Sequence, residues 1–395
     1  MKLLLLTNKV PYPARDGSTI AVKSMVAGLL ENNCEVHLLA INTLKHFKSS
    51  ADIEKDKPRD LHFYYKTVNT NITPPGALKN LLSGEAYHVS RFQAKNIEKV
   101  LIDLLKQHLF DVIQIEGVSM AVYLPTIRKY SKAKVSLRAH NAEFQIWDRH
   151  VENEYNPIKK WYLKLQNKRL KNFELQASQK VDAVITITEE DKVTFENEGI
   201  SKPIFTLPCG MDIQPVKETE KAADVSYIAS FDWMPNQQGL EWFLKKVYPK
   251  LISVLPNIKI QVAGKEQPKE WKVQYPNIYF EGWVENAQTF MSSGKVAIVP
   301  LLAGSGMRIK ILDNMALGLP MVSTSIGAEG VKLQNGRDIL LADTPEAFSS
   351  AIIRLLKDDA LRNQMGQNAR HALEEYYQNK KLGASLMKFY RTLAV

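Results

Sequence analysis

Cysteine is scarce in this chain: two among 395 residues, Cys34 and Cys209, far apart and without metal-ligand or redox spacing. A disulfide scaffold is therefore excluded, and a reduced, cytoplasmic compartment is the expectation. No uninterrupted apolar run reaches the roughly 18–20 residues of a membrane-spanning helix. The opening Met1–Thr7 run is too short for the apolar region of a signal peptide. Asn8, Lys9, Arg15 and Asp16 follow at once, so it reads as a first buried strand. Also missing are an arginine-rich low-complexity tract, zinc-finger spacing and an RNP-like aromatic motif, and no nucleic-acid partner is expected. The first strand–helix turn lacks G-x-G-x-x-G, which disfavours a nicotinamide oxidoreductase.

What is present is the composition of a globular protein, 45% hydrophobic and 24% charged, in a chain long enough for two domains. The net charge of +10 suits partners that carry phosphate, such as nucleotides or an anionic membrane surface.

Short apolar runs alternate with helical patterns, which predicts α/β architecture with mostly parallel sheets. In the first half, Leu3–Thr7, Glu35–Asn42, Leu61–Val68, Asp111–Glu116, Lys134–His140, Asp182–Thr188 and Ile204–Leu207 read as strands. Ser18 is placed to cap a helix running to about Glu31, Thr43–Asp60 reads as an exposed loop, and Ala94–Leu109 as a helix. Pro157–Lys180 reads as a long helix with Lys159, Lys160, Lys164, Lys168, Arg169 and Lys171 on it, and Ile158, Trp161, Tyr162, Leu165 and Phe173 as an apolar stripe. It is either a packed helix with a solvated basic face or a peripheral contact with an anionic membrane. Periodicity lapses at Gln214–Asp224, the expected linker. It then restarts with strands at Val225–Ser230, Ile258–Ala263, Ile278–Phe280, Val296–Leu302, Met321–Ser325 and Ile339–Leu341, and helices that include Gly239–Val254 and one capped by Thr344. The expected division is 1–213, 214–375 and a terminal helical segment, 376–395.

Ligands of parallel α/β sheets bind outside the carboxyl ends of the strands. The residues just past those ends are Asn8–Ser18, Glu116-Gly117, His140-Asn141-Ala142-Glu143 and Thr188-Glu189 in the first half. In the second they are Ser230–Asn236, Gly264-Lys265, Gly282-Trp283 and Pro300–Gly327. His140 is the best single titratable candidate. In the last stretch the small-residue loop Gly304-Ser305-Gly306 leads into a helix whose first turn holds Arg308 and Lys310. Two cations at a helix N-terminus oppose the macrodipole, and their placement there points to a bound polyanion.

Several segments together resemble one family. They are Pro11-Tyr12-Pro13…Gly17, FDVIQIEG at Phe110–Gly117, His140-Asn141, VDAVITITEED at Val181–Asp191 and LPCGMD at Leu207–Asp212. In the second half they are YIASFDWMPN at Tyr227–Asn236, VAGK at Val262–Lys265, FEGWVEN at Phe280–Asn286 and, most specifically, GSGMRIKILDNMALGLPMVST at Gly304–Thr324. The chain resembles a retaining glycosyltransferase of the large family 4 type, with two Rossmann-like domains in the GT-B arrangement and an interdomain cleft. The resemblance implies transfer of a sugar from a nucleotide diphosphate sugar of the UDP or GDP type to a glycan or lipid-linked acceptor, with no other cofactor and no metal. It also implies that the terminal helix crosses back onto the first domain. His140 would lie near the transferred sugar, with Ser305 and Asp313 in the motif's two acidic positions. Gly17, Ser18, Ser230, Lys265, Trp283, Val284, Gly304, Gly306, Met307, Arg308, Ile309 and Lys310 would bind the donor, and Asn141, Glu143 and Glu116 would lie on the acceptor side. A nucleotide-sugar epimerase or hydrolase, or a non-catalytic sugar-binding protein, is the alternative on the same fold.

The chain departs from the family pattern in three places. Two glutamates are expected eight positions apart; Asp313 fits the second, and Ser305 stands at the first, where it offers a hydroxyl but no carboxylate. Asp313 itself is one methylene shorter than glutamate. The Arg and Lys that commonly hold the diphosphate after the first strand of the second domain are missing from Ser230–Gly239. Arg308 and Lys310 are the expected replacements.

Overall fold

In the computed structural model, residues 1–152, 154–213, 220–268, 271, 275–304 and 306–393 are described. The chain divides into two compact units. Unit 1 comprises Met1–Gly210 together with the helix Asn379–Leu393, and unit 2 comprises Met211–Gln378.

Unit 1 is built on seven strands: β1 (Lys2–Thr7), β2 (Glu35–Thr43), β3 (His62–Val68), β4 (Val112–Glu116), β5 (Lys134–Ala139), β6 (Ala183–Thr186) and β7 (Ile204–Thr206). They pair in parallel in the order β3-β2-β1-β4-β5-β6-β7. Helices cover both faces of the sheet, which is why β1 reads as an unbroken apolar run, Leu3–Leu6 all being buried, while β4 buries the polar Gln114 and Glu116 beside Ile113 and Ile115. The strand order reverses between β1 and β4, where Thr7 lies opposite Glu116. A crevice opens at that point, outside the carboxyl ends.

Unit 2 repeats the plan with β8 (Ala223–Ile228), β9 (Ile260–Ala263), β10 (Ile278–Gly282), β11 (Gly294–Val299), β12 (Met321–Ser323) and β13 (Leu340–Leu341). The order is β10-β9-β8-β11-β12-β13, all parallel, with the reversal between β8 and β11. The segments that follow these two strands therefore flank the reversal point of unit 2, where ligands of such sheets bind.

Several local expectations are corrected. Asp16, not Ser18, caps the first helix, Gly17–Glu31. Its carboxylate accepts from Thr19 N at 2.9 Å while Thr19 Oγ1 accepts from Asp16 N at 3.1 Å, a reciprocal box. Thr43–Asp60 is not simply a loop: it contains the helical turn Leu44–His46 and the helix Ser50–Asp56, capped by Ser49 and anchored by buried Ile53. The short helices Pro74–Ser83, Tyr87–Ser90 and Glu143–Glu152 had no expectation at all. In unit 2 the first helix begins earlier than Gly239, at Met234, and passes through a π-helical turn at Phe243–Val247 before Pro249. Proline carries no N–H for the regular ladder, and a wide turn just ahead of it accommodates the gap. The apolar stripe expected on Pro157–Lys180 is corrected in part: Phe173 packs against the core, but the helix turns a largely polar face inward. Its buried side chains are Gln166, Asn167, Leu170, Glu174, Ala177 and Ser178, while Ile158 and Trp161 are exposed. Gln214–Lys217, Glu218 and Thr219, most of the expected linker, lie outside the described residues.

The helix Asn379–Leu393 packs on Gly17–Glu31 at a crossing tight enough to require glycine on both sides. A Cβ on Gly28 would sit 2.2 Å from Asn379 O, and one on Gly383 would sit 2.2 Å from Gly28 O. Further along this helix, buried Tyr390 reaches the sheet, its hydroxyl 2.9 Å from Ser136 Oγ and donating to Gln114 Oε1.

Candidate functional sites

The crevice of unit 1 is a cavity of ≈ 540 Å³ lined by residues that follow β1, β2, β4 and β5 and by the segment around Thr70–Phe92. It gathers Ser18, Glu116, His140, Asn141 and Glu143 from the sequence expectations. Gly17 is the first residue of the helix behind Ser18.

His140 sits two residues beyond Arg138, which lies opposite Glu116 in the β4–β5 register. That register places His140 Nε2 2.7 Å from Glu116 Oε2, with Arg138 Nη1 3.5 Å from the same oxygen. Gln114 donates to the other oxygen. Burial would raise the Glu116 pKa, but Arg138, His140 and Gln114 together hold it below its usual value. An ionised carboxylate accepts, so Nε2 is the protonated nitrogen and Nδ1 is the ring's remaining polar atom. The pairing of His140 with Glu116 was not anticipated; 24 residues separate the two, and only the strand register brings them together.

The backbone just past His140 is clamped by carboxylates. Ala142 N donates to Asp191 Oδ1 at 3.1 Å, and Glu143 N and Phe144 N donate to the two oxygens of Glu174 at 3.2 and 3.1 Å. Burial, and then the neighbouring Glu143, pushes the Glu174 pKa up to about 8. Glu143 and Asp191 are raised as well, chiefly by burial. Across the cavity, Lys9 pairs with Asp16 at 2.9 Å.

In unit 2 the reversal point is flanked by the segments that follow β11 and β8. Arg308 occupies the extended cap position of the helix Ile309–Ala316 rather than its first turn. Its buried guanidinium lies 5.9 Å from the Trp233 ring and 3.8 Å from Glu329, and it donates to Gly306 O. Gly304, at φ +126°, makes this packing possible: a Cβ there would meet Arg308 Nη2 at 2.9 Å and the Trp233 ring at 3.0 Å.

Lys310 reaches the first turn of the helix Met234–Trp242 that follows β8, placing its ammonium 3.0 Å from Asn236 Oδ1 and 4.8 Å from the Tyr227 ring. A cation therefore lies against the segment Ser230–Gly239 that carries none of its own. Lys310 and Asp313 keep some exposed area but are enclosed by protein on most sides. Burial lowers the Lys310 pKa to about 7, helped by Arg308 and opposed by Asp313, and raises Asp313 to about 7 against the pull of Lys310. The Asp313 carboxylate makes no ion pair or side-chain hydrogen bond among the described residues.

Other expected donor contacts are dispersed. Ser230 donates to Asp232 at 2.7 Å, in the same turn as Asn236. Lys265, after β9, is exposed. Trp283 is exposed and Val284 packs with Phe290 and Leu319, both just past β10, which β9 separates from β8. Met307 and Ile309 are half-buried beside Arg308. Ser305 lies outside the described residues.

One His/Glu grouping among the described residues has metal-ligand proximity: Glu35, His37 and His62, at the amino ends of β2 and β3. The two rings stack at 4.4 Å and 22°, and Lys2 Nζ lies 2.8 Å from Glu35. Imidazole lone pairs lie in the ring plane, so stacked rings do not converge on one ion. A resident ammonium fills the carboxylate's needs. No described helix is long and apolar enough to cross a membrane.

Residues 222–358 match the family model of the glycosyl transferases group 1. An uncharacterized 44.6 kDa protein in the cps region of Klebsiella pneumoniae is 24% identical over 400 residues, covering 98% of this chain and 99% of its own. Among solved structures, a TarM variant from S. aureus, in complex with fondaparinux, alpha-GlcNAc-glycerol and UDP, aligns with a TM-score of 0.68 at 11% identity over 99% of this chain and 100% of its own. Anabaena HepE in complex with UDP-glucose aligns at 0.64 and 12% identity, over 99% and 100%. The chain shares the two-sheet, GT-B fold of these structures.

Proposed function

We propose that the chain is a retaining glycosyltransferase of the family 4 type. It moves a sugar from a nucleotide diphosphate sugar to a glycan or lipid-linked acceptor, with unit 2 taking the donor and unit 1 the acceptor. The observation that carries this reading is the grouping of Arg308, Lys310 and Asp313 at the reversal point of the second sheet: Lys310 feels both Arg308 and an enclosed carboxyl that no side chain among the described residues hydrogen-bonds. The match of residues 222–358 to the glycosyl transferases group 1 supports it. UDP and UDP-glucose in the aligned structures support uridine as the first base to test.

In this reading Asp313 accepts hydrogen bonds from the donor ribose. Lys310 and Arg308 offset the charge that builds on the diphosphate as its bond to the anomeric carbon breaks, a task that elsewhere falls to a metal ion. His140, oriented by Glu116, presents Nδ1 to a sugar hydroxyl. The acceptor hydroxyl then bonds to the anomeric carbon on the face the diphosphate leaves, and its proton passes to the departing phosphate oxygen. Ser305 offers a hydroxyl to the donor sugar.

A cytoplasmic protein touching the inner face of an anionic membrane suits a lipid-linked acceptor. Exposed Tyr155, Ile158 and Trp161 lie among the exposed Lys159, Lys160 and Lys164, a combination suited to an interfacial surface. The test is a screen of UDP- and GDP-sugars for transfer or hydrolysis, with Asp313→Ala as control. No turnover of any donor, or full turnover in the variant, would sink the proposal.

A further inference from the structure

The charges lining the unit 1 cavity are unevenly matched. Of its acids, Glu116 is committed to His140 and Arg138, and burial holds Glu143 toward its neutral form. Of its cations, Lys9 is committed to Asp16. That leaves Arg91 and Lys45. Arg91 is half-buried and held only by neutral groups: Nη1 donates to Thr70 O at 3.1 Å, Nε donates to His88 O at 3.3 Å, and the guanidinium lies 5.0 Å from the Phe92 ring. No carboxylate of the described residues lies within ion-pair distance of it. Burial lowers its pKa, the mark of a charge kept from water without an opposite charge in return. Lys45, in the turn Leu44–His46, makes no ion pair or hydrogen bond among the described residues. The imidazoles nearby do not compete for an anion as cations. Burial brings His88 down to about 4, so its ring is a neutral hydrogen-bonding group, and it lowers His46 in the same direction.

A guanidinium fixed by two carbonyls still has unused N–H donors in a planar fork, the shape that matches a carboxylate or a phosphate. We propose that this cavity holds an acceptor bearing an anionic group, a phosphate or a sugar carboxylate, gripped by Arg91 and Lys45. The word acceptor rests on the glycosyltransferase reading; the anion site itself does not. Both sources of the anion fit the surroundings. A uronic sugar would use the polar wall of Asn8, Asn71 and Ser119. A lipid phosphate would use the apolar rim, where Ile72 lines the cavity and Leu78 and Leu82 stand exposed on the adjoining helix Pro74–Ser83.

The experiment is calorimetric titration of the full chain with three probes: methyl β-glucuronide, geranyl phosphate and the neutral methyl β-glucoside. UDP is titrated in parallel. At least one anionic probe is expected to bind about tenfold or more tighter than the glucoside. Arg91→Gln and Lys45→Gln are each expected to remove about tenfold of that affinity, about 1.4 kcal/mol, while leaving UDP affinity unchanged. Glucuronide binding identifies a sugar acid, and geranyl phosphate binding identifies a lipid phosphate. Equal affinity for all three probes overturns the proposal. So does an equal loss of UDP affinity in the variants, which would make the anion the donor's own diphosphate. Lys45 lies on an exposed single turn, so its variant carries the test if Arg91→Gln does not fold. A chain that binds an anionic probe but cleaves no nucleotide sugar overturns the glycosyltransferase reading and leaves the anion site standing.

Discussion

Lys310 and Asp313, one turn apart on the helix Ile309–Ala316, are driven by burial toward the same pH from opposite sides, the lysine down to about 7 and the carboxyl up to about 7. A diphosphate needs the lysine protonated, and a ribose is held best by an ionised carboxylate. UDP affinity is therefore expected to peak near neutral pH. Above it the lysine loses its proton, with a limiting loss of about tenfold per pH unit, and below it the carboxyl gains one. Lys310→Arg should remove the alkaline limb and Asp313→Asn the acid limb. Titration calorimetry from pH 5.5 to 8.5 checks this, and a flat profile for the native chain would contradict it.

Replacing Arg308 or Lys310 with alanine is expected to weaken nucleotide binding by about tenfold or more, a loss of roughly 1.4 kcal/mol. Arg308→Ala also empties the space beside Trp233, so thermal unfolding without nucleotide must be measured alongside. If neither variant weakened binding by that margin, the two residues would not be the replacements for the missing cations of Ser230–Gly239.

Glu116→Gln keeps the shape of the side chain but leaves buried Arg138 without its carboxylate. Breaking a buried pair in this way costs about 3–5 kcal/mol. The Glu116 pKa in the folded state lies below its unfolded value, so its contribution is present above that unfolded value and is lost as pH falls through the folded one. The variant should be less stable at neutral pH and lack that part of the native acid sensitivity. Its turnover should fall while UDP affinity stays within about twofold, since His140 loses an ionised partner. Unchanged turnover would remove Glu116 as the group that orients His140.

Glu174 behaves in the opposite sense. Its folded pKa of about 8 lies above its unfolded value, so its contribution to stability is complete in acid and is lost as pH rises toward 8. Chemical denaturation at pH 5 and pH 8 should show the native chain losing stability over this interval and Glu174→Gln losing less. The same slope in both would place the titrating group elsewhere.

Legibility followed burial. Strands covered on both faces, such as Leu3–Leu6, show themselves as apolar runs whatever their partners. The helix Pro157–Lys180 hid its packed face because that face is largely polar: Glu174 is buried to clamp the loop after His140, and Gln166 to accept from Tyr87 N. The cap of the first helix is ambiguous in the sequence because Asp16 and Ser18 are both good capping residues, and only the path of the backbone chooses between them. The stretches past the strand ends include Glu116, His140, Asn236 and Lys310. The pairings within them, His140 with Glu116 and Lys310 with Asn236, depend on strand register and on a side chain crossing between two helices, and join residues 24 and 74 positions apart, which no local pattern records.

The helix Asn379–Leu393 belongs to the same unit as Lys2–Thr7, although the whole of unit 2 lies between them in the chain. During synthesis the first sheet therefore emerges from the ribosome with one flank bare, and the groove for Leu386 and Tyr390 stays wet until unit 2 has been made. A chain cut after Gly210 would keep every strand of the first sheet yet should aggregate. Supplying the helix as a separate peptide should restore solubility.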